Sequence, residues 1–201
     1  MNQSFDIAVV GATGTVGETL VQILEERDFP ITALHLLASI ESAGRSVPYR
    51  GKNLRVREVD AFDFSTVQLV FFAAGPAVTL SYAAKARAAG CTIIDLSGAL
   101  PAVQAPQIVP EANSHVLKGL AKPVQVSSPS ASATALAVVL APLRGVLDIQ
   151  RVNVTACLAV SAQGREAVSE LARQTAELLN LRPLESSFFD RQMAFNLLAQ
   201  V

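Results

Sequence analysis

The chain is 201 residues long and 51% hydrophobic, with 16 basic and 17 acidic side chains and a formal charge of -1. That length and apolar content suffice for a substantial core, in one domain or two small ones, and exclude a disordered chain. The balanced charge, with no Lys/Arg run to track a phosphate backbone, speaks against nucleic acid as a partner. The apolar runs Val67–Ala74 and Ala131–Leu143 fall well short of the about 20 residues a membrane span needs, so a membrane is not expected either.

Asp6 and Gly11 interrupt the first apolar segment, so the N-terminus does not read as a secretory leader and the chain reads as cytoplasmic. The two cysteines, Cys91 and Cys157, make no C-x-x-C and no cluster with histidine. Neither a disulfide nor a metal is expected.

In chain order, Phe5–Val10 reads as a first strand, and Thr15–Glu26 as a helix with Val16, Leu20, Ile23 and Leu24 on one face, stopped before Pro30. Leu34–Ala38 reads as a second strand, Val67–Ala74 as a third and Thr92–Asp95 as a fourth. An alanine-rich helix, Ala77–Ala89, ends at Gly90 as a C-cap would end it. Ser42–Arg57 and Pro101–Pro110 carry the Gly and Pro punctuation of irregular or short hairpin segments. Val124–Ser127 makes another short strand, after which Ser128, Ser130 and Ser132 stand ready to cap an apolar helix ending near Leu143. Beyond Gly145, Arg151–Val160 alternates like a strand with one buried face and Gly164–Leu179 is an amphipathic helix. Phe188–Val201 ends in mid-pattern, so the chain reads as cut short.

Strands alternating with helices specify βαβ units and a parallel sheet, hence an α/β fold. The division expected is a Rossmann-type nucleotide-binding domain over residues 1–130 and the start of a second domain over 131–201. Between strand one and its helix lies G-A-T-G-T-V-G, Gly11 to Gly17. Glycines there let backbone N–H groups at a positive helix end approach a pyrophosphate closely. The spacing is G-x-x-G-x-x-G, so a tight βα turn that binds nothing is the competing reading.

Further along stand A-S-I-E-S-A-G-R from Ala38, F-F-A-A-G-P from Phe71, I-V-P-E-A-N from Ile108 and F-F-D-R-Q-M-A-F-N-L from Phe188, in that order. Together they resemble the aspartate-semialdehyde dehydrogenases, and among them the non-classical Usg-type relatives, over essentially the whole chain. The resemblance implies a Rossmann domain, a C-terminal α+β domain that forms a dimer interface, a longer chain, and interconversion of a semialdehyde and an acyl phosphate. It also implies a nicotinamide-nucleotide site at Gly11, Thr13, Gly14, Thr15, Val16, Ser39, Glu41, Ser42, Ala74 and Gly75.

Several positions depart from the family pattern. Where the family carries its nucleophilic cysteine within N-P-N-C-[ST], at a helix start that favours the thiolate, this chain reads S-P-S-A-S and places Ala131. Ser130 stands at the preceding asparagine, Leu158 at the substrate glutamine, Pro101 at the substrate-phosphate arginine, and Ala162–Gly164 reads A-Q-G for G-A-G. Losing that arginine removes a bidentate donor fork. Ser130 or Ser132 could serve as nucleophile only with an adjacent base, and His35 and His115 fall where the family places none; capping is their expected role. Cys157, beside Leu158, reads as a small hydrophobe on its strand.

At the adenosine end Glu41 replaces the family's arginine. A carboxylate repels a 2′-phosphate but accepts hydrogen bonds from a ribose diol, so NAD is favoured over NADP, with Arg45 as the competing source of charge. Three functions follow from these readings: a nucleotide-binding homodimer without phosphorylating semialdehyde dehydrogenase activity, an oxidoreductase acting on the aldehyde or oxo group of another donor with NAD or NADP, and a non-catalytic partner of an active relative.

Overall fold

The computed structural model describes residues 4–199. The chain forms two compact units, Met1–Val152 and Asn153–Val201, which are described separately.

The first unit is built on a parallel sheet. Strand β1 (Phe5–Val10) leads into helix α1 (Thr15–Glu26), and strand β2 (Ile31–Ala38) returns beside it. An antiparallel hairpin of β3 (Ser46–Tyr49) and β4 (Lys52–Arg55) follows, then the two-residue β5 (Arg57–Glu58). Strand β6 (Leu69–Phe72), helix α2 (Pro76–Ala88), strand β7 (Thr92–Asp95), the one-turn helix α3 (Pro110–Asn113), strand β8 (Gln125–Ser127) and helix α4 (Ala131–Leu143) complete it. The six-stranded sheet has the order β5-β2-β1-β6-β7-β8 with every pairing parallel. The chain proceeds to one side from β1 and then crosses to the other at β6. The crevice at the carboxyl ends of β1 and β6 is therefore the switch point where such sheets bind ligands.

Strand β1 shows why both faces are covered. Ile7 and Val9 enter one buried cluster with Val21, Leu36 and Phe71, while Ala8 and Val10 enter another with Phe64, Val70, Phe72, Ala83 and Ile93. A side-chain period of two divides an apolar run equally between the faces, as a sheet sandwiched between helices requires. The hairpin packs on the first of these clusters through Val47 and Tyr49. Its two-residue turn, Arg50-Gly51, has both φ angles positive, at 48° and 70°, the backbone twist that matches paired strands.

The observed elements match the expected ones closely, with informative exceptions. Strand β2 begins at Ile31 instead of Leu34, because Ile31 pairs with Phe5 and the Phe5 N–H donates to Pro30 O at 2.9 Å. Strand β6 is shorter than Val67–Ala74: Ala73 N still donates to Val10 O at 2.8 Å, after which the chain turns into α2. Gly90, at φ 89°, ends α2 as expected and donates to Arg87 O at 2.9 Å.

The second unit holds helix α5 (Arg165–Leu179), preceded by Gly164 at φ 97°. Its inward face is polar: Glu170 and Gln174 are buried beside Ala167. The Glu170 carboxylate accepts from the N–H of Ser187 at 3.0 Å, of Phe188 at 2.5 Å and of Phe189 at 3.2 Å, and from the Ser187 hydroxyl at 2.6 Å. Gln174 Oε1 accepts from Met193 N at 2.8 Å and Ala194 N at 3.2 Å. One turn apart on the helix, the two side chains hold the F-F-D-R-Q-M-A-F-N segment by its backbone. The Ser187 hydroxyl and these N–H donors hold the Glu170 carboxyl down at about 2, against the opposing effect of burial.

Arg151–Val160 forms no strand. The alternation is present, yet Val154, Cys157 and Leu158 are exposed and no strand among the described residues pairs with the segment. A strand without a hydrogen-bonding neighbour has no ladder to form. Cys157 is consequently exposed, not a buried hydrophobe on a strand.

Candidate nucleotide-binding site

The glycine turn owes two of its three glycines to packing. Gly11, at φ 88°, lies so close to the end of β6 that a Cβ on it would stand 2.7 Å from Ala74 N and 2.8 Å from the Ala73 carbonyl carbon. A Cβ on Gly17 would stand 2.1 Å from Gly11 O, so this glycine lets the first turn of α1 settle on the strand end. Gly14 differs. Its φ is an ordinary -82°, and a Cβ there would make only van der Waals contact, 3.4 Å from Gly11 O. The fold makes no demand for glycine at that position, whereas a phosphate approaching the helix end does.

The N–H groups of the turn itself are bonded internally. Gly11 N and Ala12 N both bond Leu37 O, at 2.8 and 3.1 Å, and Gly14 N bonds Gly11 O at 3.0 Å. The α1 ladder begins with Glu18 N to Gly14 O at 2.9 Å, so the N–H groups of Thr15, Val16 and Gly17 precede it at the positive end of the dipole. Thr15 and Val16 are exposed and Thr13 is half-buried. Across the crevice, Ala74 is half-buried, and exposed Gly75 is the N-cap of α2 with nothing within 4 Å of its Cβ position. The arrangement fits a dinucleotide pyrophosphate laid over Gly14, with α1 supplying the donors.

At the end of β2, the Ser39 hydroxyl donates to Glu41 Oε2 at 2.7 Å. The turn is closed by Ser42 N and Ala43 N on Ser39 O, at 3.0 and 2.9 Å. The hydroxyl expected to meet an adenosine ribose is thus engaged by a carboxylate, and Arg45 lies exposed beyond the turn. The structure brings Gly11, Gly14, Thr15, Val16, Ala74 and Gly75 together around the β1–β6 crevice, with Ser39, Glu41 and Ser42 at the neighbouring end of β2.

Ala131 is the first residue of α4 and is exposed. The preceding Ser130 is the N-cap, its hydroxyl accepting from Ala133 N at 3.3 Å and lying 3.4 Å from the Ser132 hydroxyl. Among the described residues, no histidine is hydrogen-bonded to either serine. His35 sits on β2, at the opposite side of the sheet from β8, with its ring 5.3 Å from that of Phe62, and burial pushes its pKa down. Cys91 is fully buried, donates to Phe64 O at 3.1 Å, and has its thiol pKa pushed up by burial, the opposite of a reactive thiolate. Leu158 lies exposed in the second unit, and Pro101 O accepts from Gln104 N and Ala105 N at 2.8 and 2.9 Å.

Sequence reasoning did not single out Asp95, which closes β7 with its carboxylate wholly buried. Its signals are an acidic residue ending an apolar strand and its place at the head of D-L-S-G-A-L-P, the run that leads to Pro101. Among the described residues, no group of three or more His, Cys, Asp or Glu could hold a metal ion, and no helix is long and apolar enough to cross a membrane.

Comparison with known proteins agrees with this geometry. The family described as semialdehyde dehydrogenase, NAD binding domain, matches residues 6–120, and the semialdehyde dehydrogenase dimerisation domain matches residues 140–201. A USG-1 protein homolog of Azotobacter vinelandii is 61% identical over 201 residues. Aspartate-semialdehyde dehydrogenase 2 of Vibrio cholerae is 38% identical over 202. All of this chain is covered in both cases, and the chain spans 60% of the length of each relative. The solved structure of a probable aspartate-semialdehyde dehydrogenase from Pseudomonas aeruginosa superposes with a TM-score of 0.95 at 58% identity, covering 99% of this chain and 60% of that one. With both domains matched and a six-stranded parallel sheet carrying the glycine turn at its switch point, the chain belongs to the semialdehyde dehydrogenase family, alongside USG-1 homologs and aspartate-semialdehyde dehydrogenases.

Proposed function

We propose that this chain binds a nicotinamide dinucleotide, NAD in preference to NADP, and pairs with a second copy of itself, without carrying phosphorylating semialdehyde dehydrogenase activity. Residues 1–130 supply the nucleotide site and 131–201 begin the dimerisation part. The observation that carries the binding is Gly14: a glycine that packing does not require, at the helix end where a pyrophosphate needs close approach. Gly11, Thr13, Thr15 and Val16 line that turn, Ala74 and Gly75 form the opposite wall, and Ser39, Glu41 and Ser42 meet the adenosine ribose. When bound, the nucleotide would supply a hydride acceptor or donor.

Glu41 supports NAD, because its carboxylate already holds the Ser39 hydroxyl and would face a 2′-phosphate with like charge. Ala131 supports the loss of the covalent route: a methyl group has no lone pair with which to attack a carbonyl, and the neighbouring Ser130 is engaged as a helix cap. Self-association is supported by α4, an apolar helix with no buried residue and with Val138, Val139 and Leu143 exposed; the matched dimerisation segment begins inside it, at residue 140. An apolar helix surface of that kind calls for a covering partner.

The test is a calorimetric titration with NAD and NADP, followed by an assay with aspartate semialdehyde, phosphate and either nucleotide. The expected result is saturable binding, tighter for NAD, with no reduced nucleotide formed. Steady formation of reduced nucleotide would contradict it.

A further inference from the structure

Beside the ends of β1, β2 and β6, the end of β7 carries a buried carboxyl group that the nucleotide site does not use. Asp95 is wholly buried, and an ionised carboxylate removed from water needs hydrogen-bond donors on both oxygens. It has them: Oδ1 accepts from Ser97 N at 2.8 Å and from the Ser97 hydroxyl at 2.6 Å, and Oδ2 accepts from Leu100 N at 2.9 Å. The Ser97 hydroxyl also lies 2.9 Å from that of Thr79, which is wholly buried in the first turn of α2, the helix capped by Gly75. The backbone oxygen of Asp95 accepts from Ser128 N at 2.8 Å and from the Ser127 hydroxyl at 3.3 Å, on the approach to α4. One residue therefore ties together the start of α2, the 97–100 turn and the segment leading to Ala131.

In a parallel sheet of this order, the parts of a bound dinucleotide follow one another along the carboxyl ends of the strands. Adenosine belongs at the end of β2, beside Glu41, and pyrophosphate at the β1–α1 turn. The remaining half of the dinucleotide then continues past β6 toward β7, a further distance of about 10 Å at about 4.8 Å per strand.

Resting on the nucleotide reading above, we propose that Asp95 is a positioning residue for the nicotinamide half of the bound dinucleotide, acting through the Ser97–Leu100 turn that its carboxylate holds. Asparagine in its place would turn an NH2 group toward a backbone N–H or hydroxyl that now donates to an oxygen, and would release one side of the turn. The adenosine contacts at the end of β2 and the pyrophosphate donors of α1 lie on elements that this network does not touch.

The test uses two probes, NADH and ADP-ribose, titrated into the chain and into Asp95→Asn, with Ser97→Ala as a milder variant should Asp95→Asn fail to fold. Ser97→Ala keeps the carboxylate but removes the hydroxyl that reaches both Asp95 and Thr79. The expected result is that NADH binding weakens by about tenfold in Asp95→Asn, the effect of losing one charge-assisted hydrogen bond. It weakens in the same direction, by less, in Ser97→Ala, while ADP-ribose binding stays within about twofold in both. Equal weakening of both probes, as general destabilisation would give, or no change in either, would overturn the proposal. Failure of the unsubstituted chain to bind either probe would overturn the nucleotide reading itself, and this proposal with it.

Discussion

Gly11 and Ala74 meet so closely that a single added carbon on Gly11 would press to 2.7 Å from the backbone nitrogen of Ala74. This close approach brings the end of β1 against the residues that follow β6. Gly11→Ala would force both a positive φ on a residue with a Cβ and a backbone clash, at a cost of at least about 1–3 kcal/mol from strain alone. A lower thermal midpoint together with lost nucleotide binding is the expected outcome; unchanged melting would mean that the turn relaxes freely.

Gly14 separates folding from binding. Its φ is accessible to any residue and the added Cβ finds ordinary contact, so Gly14→Ala is expected to melt like the parent chain while weakening NAD binding by about tenfold or more, since each 1.4 kcal/mol of lost contact is a factor of ten. Circular dichroism melts and calorimetric titration measure the two quantities. Undiminished affinity would remove the main support for a ligand at this turn.

Glu41→Arg addresses nucleotide choice. It releases the Ser39 hydroxyl and puts a guanidinium where a carboxylate stood, replacing like-charge repulsion of a 2′-phosphate by attraction. The ratio of NADP to NAD affinity is expected to rise by at least about tenfold. A ratio that does not move would show that the Ser39–Glu41 pair lies away from the adenosine.

The Glu170 carboxyl, ordinarily near 4.5, is held at about 2 by donors from residues 187–189. A folded-state value below the unfolded one contributes stability that is complete above about 4.5 and is lost as the pH falls toward about 2. Glu170→Gln is expected to lower the melting midpoint at neutral pH, and the gap from the parent chain should narrow across that acid window. A gap that is constant with pH would mean that the carboxylate's charge contributes nothing to the clamp.

Much of this architecture is legible in the residues themselves. β1, α1 and β7 follow directly from apolar period and punctuation, because each is a short run bounded by a glycine, a proline or a charge. The early start of β2 is not, since Ile31 to Ala33 acquire their strand character from pairing with Phe5 and Asp6. Arg151–Val160 shows the converse: the alternation is present, but pairing supplies what pattern cannot. In the site, the glycines are readable as a motif, while their different reasons emerge only from where a Cβ would fall. Asp95, Glu170 and Gln174 escape sequence reading because each is held mainly by backbone N–H groups, which carry no sequence signature.

Nucleotide binding by an otherwise substituted site is the central claim, and parallel calorimetric titration of the chain with NAD and NADP tests it most directly. Saturable binding of both, with NAD the tighter, is the predicted result. Heats no larger than dilution for both nucleotides, or tighter binding of NADP, would contradict it.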